Sequence, residues 1–181
     1  MNNLIILLLS PLFGALLIFI LPTNYTHWMR YCAISTSLIT LGISISLYFD
    51  FSLTTTSIQL AQYYEWNHEL GTSFSFGIDG FSYPLLILTT LLTTLSLLVS
   101  SAIQTYQRGY YILILMLESA TLGVFMAQDW ALFYVLWELV LIPLFFLLDR
   151  WGGKNRQAAS LNFVLYTMGG SVFLLLSLLV L

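Results

Sequence analysis

Apolar side chains fall into six runs of about 18 residues or more, the length a helix needs to cross the hydrocarbon layer of a bilayer. They are Leu4 to Leu21, Tyr31 to Phe49, Phe81 to Ala102, Tyr110 to Ala127, Trp130 to Leu148, and Leu161 to Leu181. The pattern predicts an all-α, polytopic transmembrane bundle of six spans, forming one membrane domain over residues 1–181 with no soluble domain. Met1-Asn2-Asn3 supplies no positive segment ahead of the first run, so that run is expected to stay in the mature protein. Between spans two and three lies the long segment 50–80. Its aromatics Tyr63, Tyr64 and Trp66, and the alternation Ser73-Phe74-Ser75-Phe76, read as an ordered interfacial loop with a short strand. Gly77-Ile78-Asp79-Gly80 reads as a turn in which Asp79 caps the helix beginning near Phe81.

Composition supports the same picture. Only 7% of the 181 residues are charged and 59% are apolar, against about a quarter charged in an ordinary soluble domain. With one cysteine, Cys32, and two distant histidines, His27 and His68, the chain offers no disulfide, no thiolate-held iron–sulfur cluster and no obvious metal site. No redox cofactor is expected on it.

The placement of charge is more informative than the sum. Arg30 lies between spans one and two, Arg108 between three and four, and Arg150, Lys154 and Arg156 between five and six. The opposite loops hold Asp50, Glu65, Glu69, Asp79 and Asp129 and no basic residue. Such a split orients the chain with its basic loops on the cytoplasmic, matrix or stromal side and both termini on the outer, intermembrane or lumenal side.

Two acids lie inside spans. Glu118 is eight residues, about 12 Å, from the basic end of span four, and Glu138 is ten residues, about 15 Å, from that of span five. Both sit near mid-membrane, where a carboxylate is costly unless paired or hydrated and where ionisable groups mark proton and ion paths. Protonated side chains that hydrogen-bond neighbouring helices together are the alternative. No lysine, arginine or histidine lies within a span, so a counter-charge must come from elsewhere. Pro143, five residues after Glu138, withholds a donor from the Leu139 carbonyl and is expected to kink the helix. Asn162, Tyr166 and Thr167 could extend a polar path. The stripes Thr36, Thr40, Ser44 and Thr89, Thr90, Thr93, Thr94 fit close helix packing. No intramembrane Ser with His or Lys, and no aspartate pair, suggests a hydrolase, and no arginine within a span suggests a voltage sensor.

Several local motifs go further. Gly77-Ile78-Asp79-Gly80-Phe81-Ser82, Trp137-Glu138-Leu139 with Ile142-Pro143, Trp151-Gly152-Gly153, and Leu165-Tyr166-Thr167 with Gly170-Ser171 occur in an order and spacing that resemble subunit 4 of proton-pumping NADH:quinone oxidoreductase, the complex I family. The resemblance is strong from Phe76 onward, while the first two spans match only as hydrophobic segments. It implies an antiporter-like, proton-conducting subunit without a redox centre of its own. NAD(P)H or ferredoxin, flavin, iron–sulfur clusters and quinone would then sit on other subunits of a bacterial plasma, mitochondrial inner or thylakoid membrane complex. By the resemblance Glu138 matches the fifth-span proton-channel glutamate and Glu118 a fourth-span carboxylate. The family opposes the former with a seventh-span lysine, so a C-terminal counterpart carrying further spans is expected as partner, together with other membrane-arm subunits and lipid. A multisubunit cation/proton antiporter subunit and a non-conducting scaffold fragment are the rival readings.

Overall fold

The structure, a computed structural model, describes residues 3–22, 25–52, 57–67 and 72–180. Six helices follow one another: α1 (Asn3–Ile20), α2 (Thr26–Ser46), α3 (Ser82–Val99), α4 (Gln107–Met126), α5 (Trp130–Trp151) and α6 (Arg156–Val180). Each is long and apolar enough to cross a membrane. Short 3-10 turns, Leu47–Phe49 and Ser100–Ala102, extend α2 and α3. Between them a two-stranded antiparallel hairpin, β1 (Gln59–Asn67) and β2 (Thr72–Ile78), occupies the long loop.

The first four helices pack around one another, α5 packs on α4, and α6 packs chiefly on α5. One apolar cluster, with Leu4, Leu7, Leu47, Tyr83, Leu86, Leu122 and Met126, fills the acidic end. A second, with Ala15, Ile18, Met29, Ala33, Leu97, Tyr111 and Leu115, fills the basic end. Between them α2 and α3 bury Ser37, Thr40, Ser44, Thr90 and Thr94. In hydrocarbon a lone hydroxyl is costly, and these satisfy their donors on their own helices or across helices. Thr40 Oγ1 donates to the Thr36 carbonyl at 3.0 Å and Thr94 Oγ1 to that of Thr90 at 2.8 Å. The pairs Ser10–Thr40 (3.1 Å) and Ser44–Thr90 (3.0 Å) tie α1 to α2 and α2 to α3.

Close packing is strictest where α1 crosses α2. A Cβ on Gly14 would stand 2.8 Å from Thr36 Cβ, so only glycine admits that approach. Pro11 removes the donor that would reach the Leu7 carbonyl, and Ser10 Oγ donates to that carbonyl instead at 3.1 Å. Pro84 sits in the first turn of α3, where a helix needs no donor.

The hairpin is docked rather than loose. Phe76 bridges Ala127 at the α4–α5 turn, and Gln128 N–H donates to the Ser75 carbonyl at 2.8 Å. Phe76 and Ile78 are buried in the cluster at the acidic end, so the hairpin closes that end of the bundle. β2 includes the Ser73–Phe76 alternation, whereas the polar β1 carries no comparable apolar period. The side chains of Glu65 and Trp66, and all of His68 and Glu69, lie outside the described residues.

A candidate proton site around two intramembrane glutamates

Glu118 lies on the stripe Tyr111, Leu115, Glu118, Leu122 and Met126 of α4, whose neighbours on either side belong to the two apolar clusters. It therefore lies between the two clusters in depth. It is 1% exposed, and neither carboxyl oxygen meets a hydrogen-bond partner. Native proteins pair nearly all buried polar groups, so an orphaned carboxyl is a candidate for a functional or hydrated position.

Glu138 is half-buried on α5, and its Oε1 is enclosed without a partner. It lines a groove of about 550 Å³ between α5 and α6, whose other walls include Ile142, Phe145, Leu161, Val164 and Met168. Glu138 is the only ionisable side chain among the residues lining this otherwise apolar groove. Trp137 next to it stacks on Phe133, with ring centroids 6.0 Å apart, on the exposed side of α5.

The two carboxylates stand at similar depth without meeting. Ser119 and Leu139, the residues following them, line the same small cavity of about 100 Å³ between α1, α4 and α5, together with Leu8, Leu136 and Pro143. Ser119 Oγ spends its donor on the Leu8 carbonyl at 2.7 Å. Glu118 faces the four-helix layer and Glu138 the α5–α6 groove.

α5 is one continuous helix through Pro143, which is buried. Where Pro11 leaves a carbonyl that Ser10 takes up, no described side chain donates to the Leu139 carbonyl that Pro143 leaves. The other path candidates lie apart from the groove. Asn162 is exposed, Tyr166 is 83% exposed, and Thr167 Oγ1 donates to the Phe163 carbonyl at 2.7 Å.

Two aspartates order the acidic end. Asp79 Oδ1 accepts from the N–H groups of Ser82 (2.6 Å) and Phe81 (3.1 Å), while Ser82 Oγ accepts from Asp79 N–H (2.9 Å), the cap read from the sequence. The Ser82 bonds, with that from Phe81, hold the Asp79 carboxyl below the usual carboxylate range. In the sequence Asp129 reads only as one more acid in a turn. Its Oδ1 caps α5 through Ala131 and Leu132 N–H, and its Oδ2 takes Ser73 N–H. Asp directly before an apolar run was the signal. Among the described residues no three His, Cys, Asp or Glu side chains gather as a metal site would require.

Residues 127–181 match the family model described as NADH:quinone oxidoreductase/Mrp antiporter, transmembrane. An NAD(P)H-quinone oxidoreductase chain 4 of Microcystis aeruginosa is 36% identical over 172 residues, covering 94% of this chain and 33% of its own. That of Prochlorococcus marinus is 39% identical over 150 residues, covering 82% and 28%. A chain of respiratory complex I from Thermus thermophilus with bound NADH superposes with a TM-score of 0.81 at 29% identity, over 97% of this chain and 35% of that one. The membrane-bound sulfane sulfur reductase, an archaeal respiratory membrane complex, shares the fold, with a TM-score of 0.77 at 24% identity over 97% of this chain and 27% of that one. The chain thus spans about a third of the length of the curated relatives it matches. In sequence and in fold, the chain is similar to membrane subunits of complex I, and in sequence to the NAD(P)H-quinone oxidoreductase chains 4.

Proposed function

We propose that this chain forms part of a proton-translocating membrane-arm subunit of a complex-I-like NAD(P)H or ferredoxin:quinone oxidoreductase, with a half-channel centred on Glu138. The observation that carries the reading is the enclosed, unpartnered Glu138 oxygen on the wall of the α5–α6 groove. A carboxyl group so placed holds a proton when nothing opposes desolvation and releases it when a cation or water approaches. Glu118 is a second proton-binding group at the same depth, and the unclaimed Leu139 carbonyl beside Glu138 offers an acceptor for water. The cation that would drive release, the other membrane-arm subunits and the redox cofactors belong to the rest of the assembly.

The test is the number of protons moved per electron by the complex containing this chain, in sealed vesicles, with Glu138→Gln compared with wild type at matched assembly. Glutamine keeps the shape and removes the titration, so the ratio is expected to fall with assembly intact. An unchanged ratio ends the half-channel reading and leaves a helical scaffold.

The family description also covers Mrp antiporters, which favours one second reading, a subunit of a multisubunit cation/proton antiporter. Sodium-dependent proton flux without quinone chemistry, abolished by Glu138→Gln, would establish it in place of the first.

A further inference from the structure

α5 carries one backbone carbonyl that its own helix cannot serve, that of Leu139, because Pro143 has no N–H to give it. The ring of a helical proline stands against the carbonyl four residues earlier. Pro143 and Leu139 both line the cavity of about 100 Å³ between α1, α4 and α5, so the carbonyl opens on that cavity. Loose packing does not account for the space. One turn along α4 the same three helices close up at Gly123, where a Cβ would stand 3.0 Å from Leu136 and 3.2 Å from Leu8.

The facing wall brings a second acceptor. Ser119 is 3% exposed and lines the cavity from α4. Its one hydroxyl hydrogen goes to the Leu8 carbonyl at 2.7 Å, and a hydroxyl oxygen keeps lone pairs for another donor. Leu8, Leu12, Met116, Ala120 and Leu136 complete the wall, and none of these side chains has a hydrogen to donate. Two acceptors therefore share an enclosed space whose other walls are apolar. An all-apolar cavity stays dry, whereas one with polar groups on its wall and room for a molecule of about 30 Å³ holds water.

We propose that this cavity is a water site, in which one molecule donates a hydrogen to the Leu139 carbonyl and the other to Ser119 Oγ. Ser119 is the positioning residue of the site. It holds Leu8 of α1 directly and Leu139 of α5 through the water, and so fixes the turn of α5 that carries Glu138. Leu139 is also the one residue that lines both this cavity and the α5–α6 groove, which puts the water one side chain from the space on which Glu138 opens. That the molecule serves Glu138 as a local source of water rests on the half-channel reading; that it is bound does not.

Brief X-ray radiolysis of the protein in phospholipid bilayers tests the binding, because hydroxyl radicals made from a bound water oxidise a methionine beside it to the sulfoxide. Met116 lines the cavity, whereas Met126 is buried in the apolar cluster at the acidic end. Met116 is expected to oxidise severalfold faster than Met126. Ala120→Val, which fills the cavity, and Ser119→Ala, which removes an acceptor and leaves the room, should each slow Met116 severalfold with Met126 unchanged. Equal rates at the two methionines, or a Met116 rate indifferent to both variants, would overturn the water site. Slowing in Ala120→Val alone would overturn Ser119 as its holder. In the assembled complex Ser119→Ala should also lower the number of protons moved per electron. An undiminished ratio in that variant, with Met116 protected, would overturn the supply of water to Glu138 while the half-channel stands. An undiminished ratio in Glu138→Gln would remove the half-channel and the supply together, and the bound water would still be read from Met116.

Discussion

Asp129 joins Ser73 across 56 residues of chain. Its Oδ2 accepts the Ser73 N–H at 2.9 Å while its Oδ1 caps α5 through Ala131 N–H at 2.9 Å and Leu132 N–H at 3.1 Å. One carboxylate thus fastens the hairpin to the bundle and starts the helix that carries Glu138. Asp129→Ala is expected to cost about 1–2 kcal/mol, the upper range for a lost cap, and to release the hairpin. Hydrogen exchange of residues 72–78 should accelerate along with a lower thermal midpoint in detergent. Unchanged protection in β2 would show that the Phe76–Ala127 bridge suffices without it.

Glu118 separates a functional carboxyl from helix glue. Replacing a buried, unpartnered polar group by an apolar one of similar size removes a desolvation penalty of about 1–3 kcal/mol. Glu118→Leu should therefore leave thermal stability equal or higher, while lowering proton transfer by the assembled complex. A drop in stability or assembly would mean that the carboxyl holds helices together.

At the α1–α2 crossing, Gly14→Ala must push Thr36 aside. A loss of about 1–3 kcal/mol is expected, as for overpacked cores generally. Gly42→Ala, where a new Cβ meets nothing within 4 Å, should be neutral or stabilising by up to about 1 kcal/mol. Equal thermal midpoints for the two variants would contradict the crossing geometry.

Asp79 gives the acidic end a pH response. Its carboxyl is held below the ordinary range by the Ser82 and Phe81 bonds, so its folded form keeps the charge more readily than the unfolded one. The cap's contribution is present in full above the ordinary carboxylate value and fades as pH falls through the lowered one. The difference in midpoint between wild type and Asp79→Asn should shrink on acidification; a difference independent of pH would assign the cap to geometry alone.

The six spans and the cap at Asp79 could be read from the sequence because hydrocarbon imposes a length and a polarity rule that few side chains can evade. Boundaries were less legible. α2 starts at Thr26 and α6 at Arg156, ahead of the apolar runs at Tyr31 and Leu161, because His27, Trp28, Arg30, Arg156 and Gln157 are helical but interfacial or polar. β1 escaped because Gln59, Gln62 and Glu65 give it no apolar alternation; its pairing with β2 defines it. Both glutamates were visible as misplaced charges. That one is buried in the bundle and the other lines a groove depends on how α4 and α5 turn against their neighbours, which periodicity within a single span does not encode. Asn162 and Tyr166 showed the same gap: their polarity within span six suggested a path, and rotation of α6 put them on its exposed side.

The hydroxyl layer of α1, α2 and α3 also fixes how those helices can move. Lipid tails are as apolar as leucine, so leucine faces alone would let neighbouring helices slip along one another at little cost. A slip of one turn would separate Ser10 from Thr40 and Ser44 from Thr90 and carry Gly14 off Thr36. The first helices are in effect keyed like the pins of a lock, whereas α6, resting mainly on α5 through leucine, valine and phenylalanine, has no such key. Among the described residues a change in the width of the α5–α6 groove beside Glu138 therefore breaks no hydroxyl pair, whereas a slip among α1, α2 and α3 breaks two.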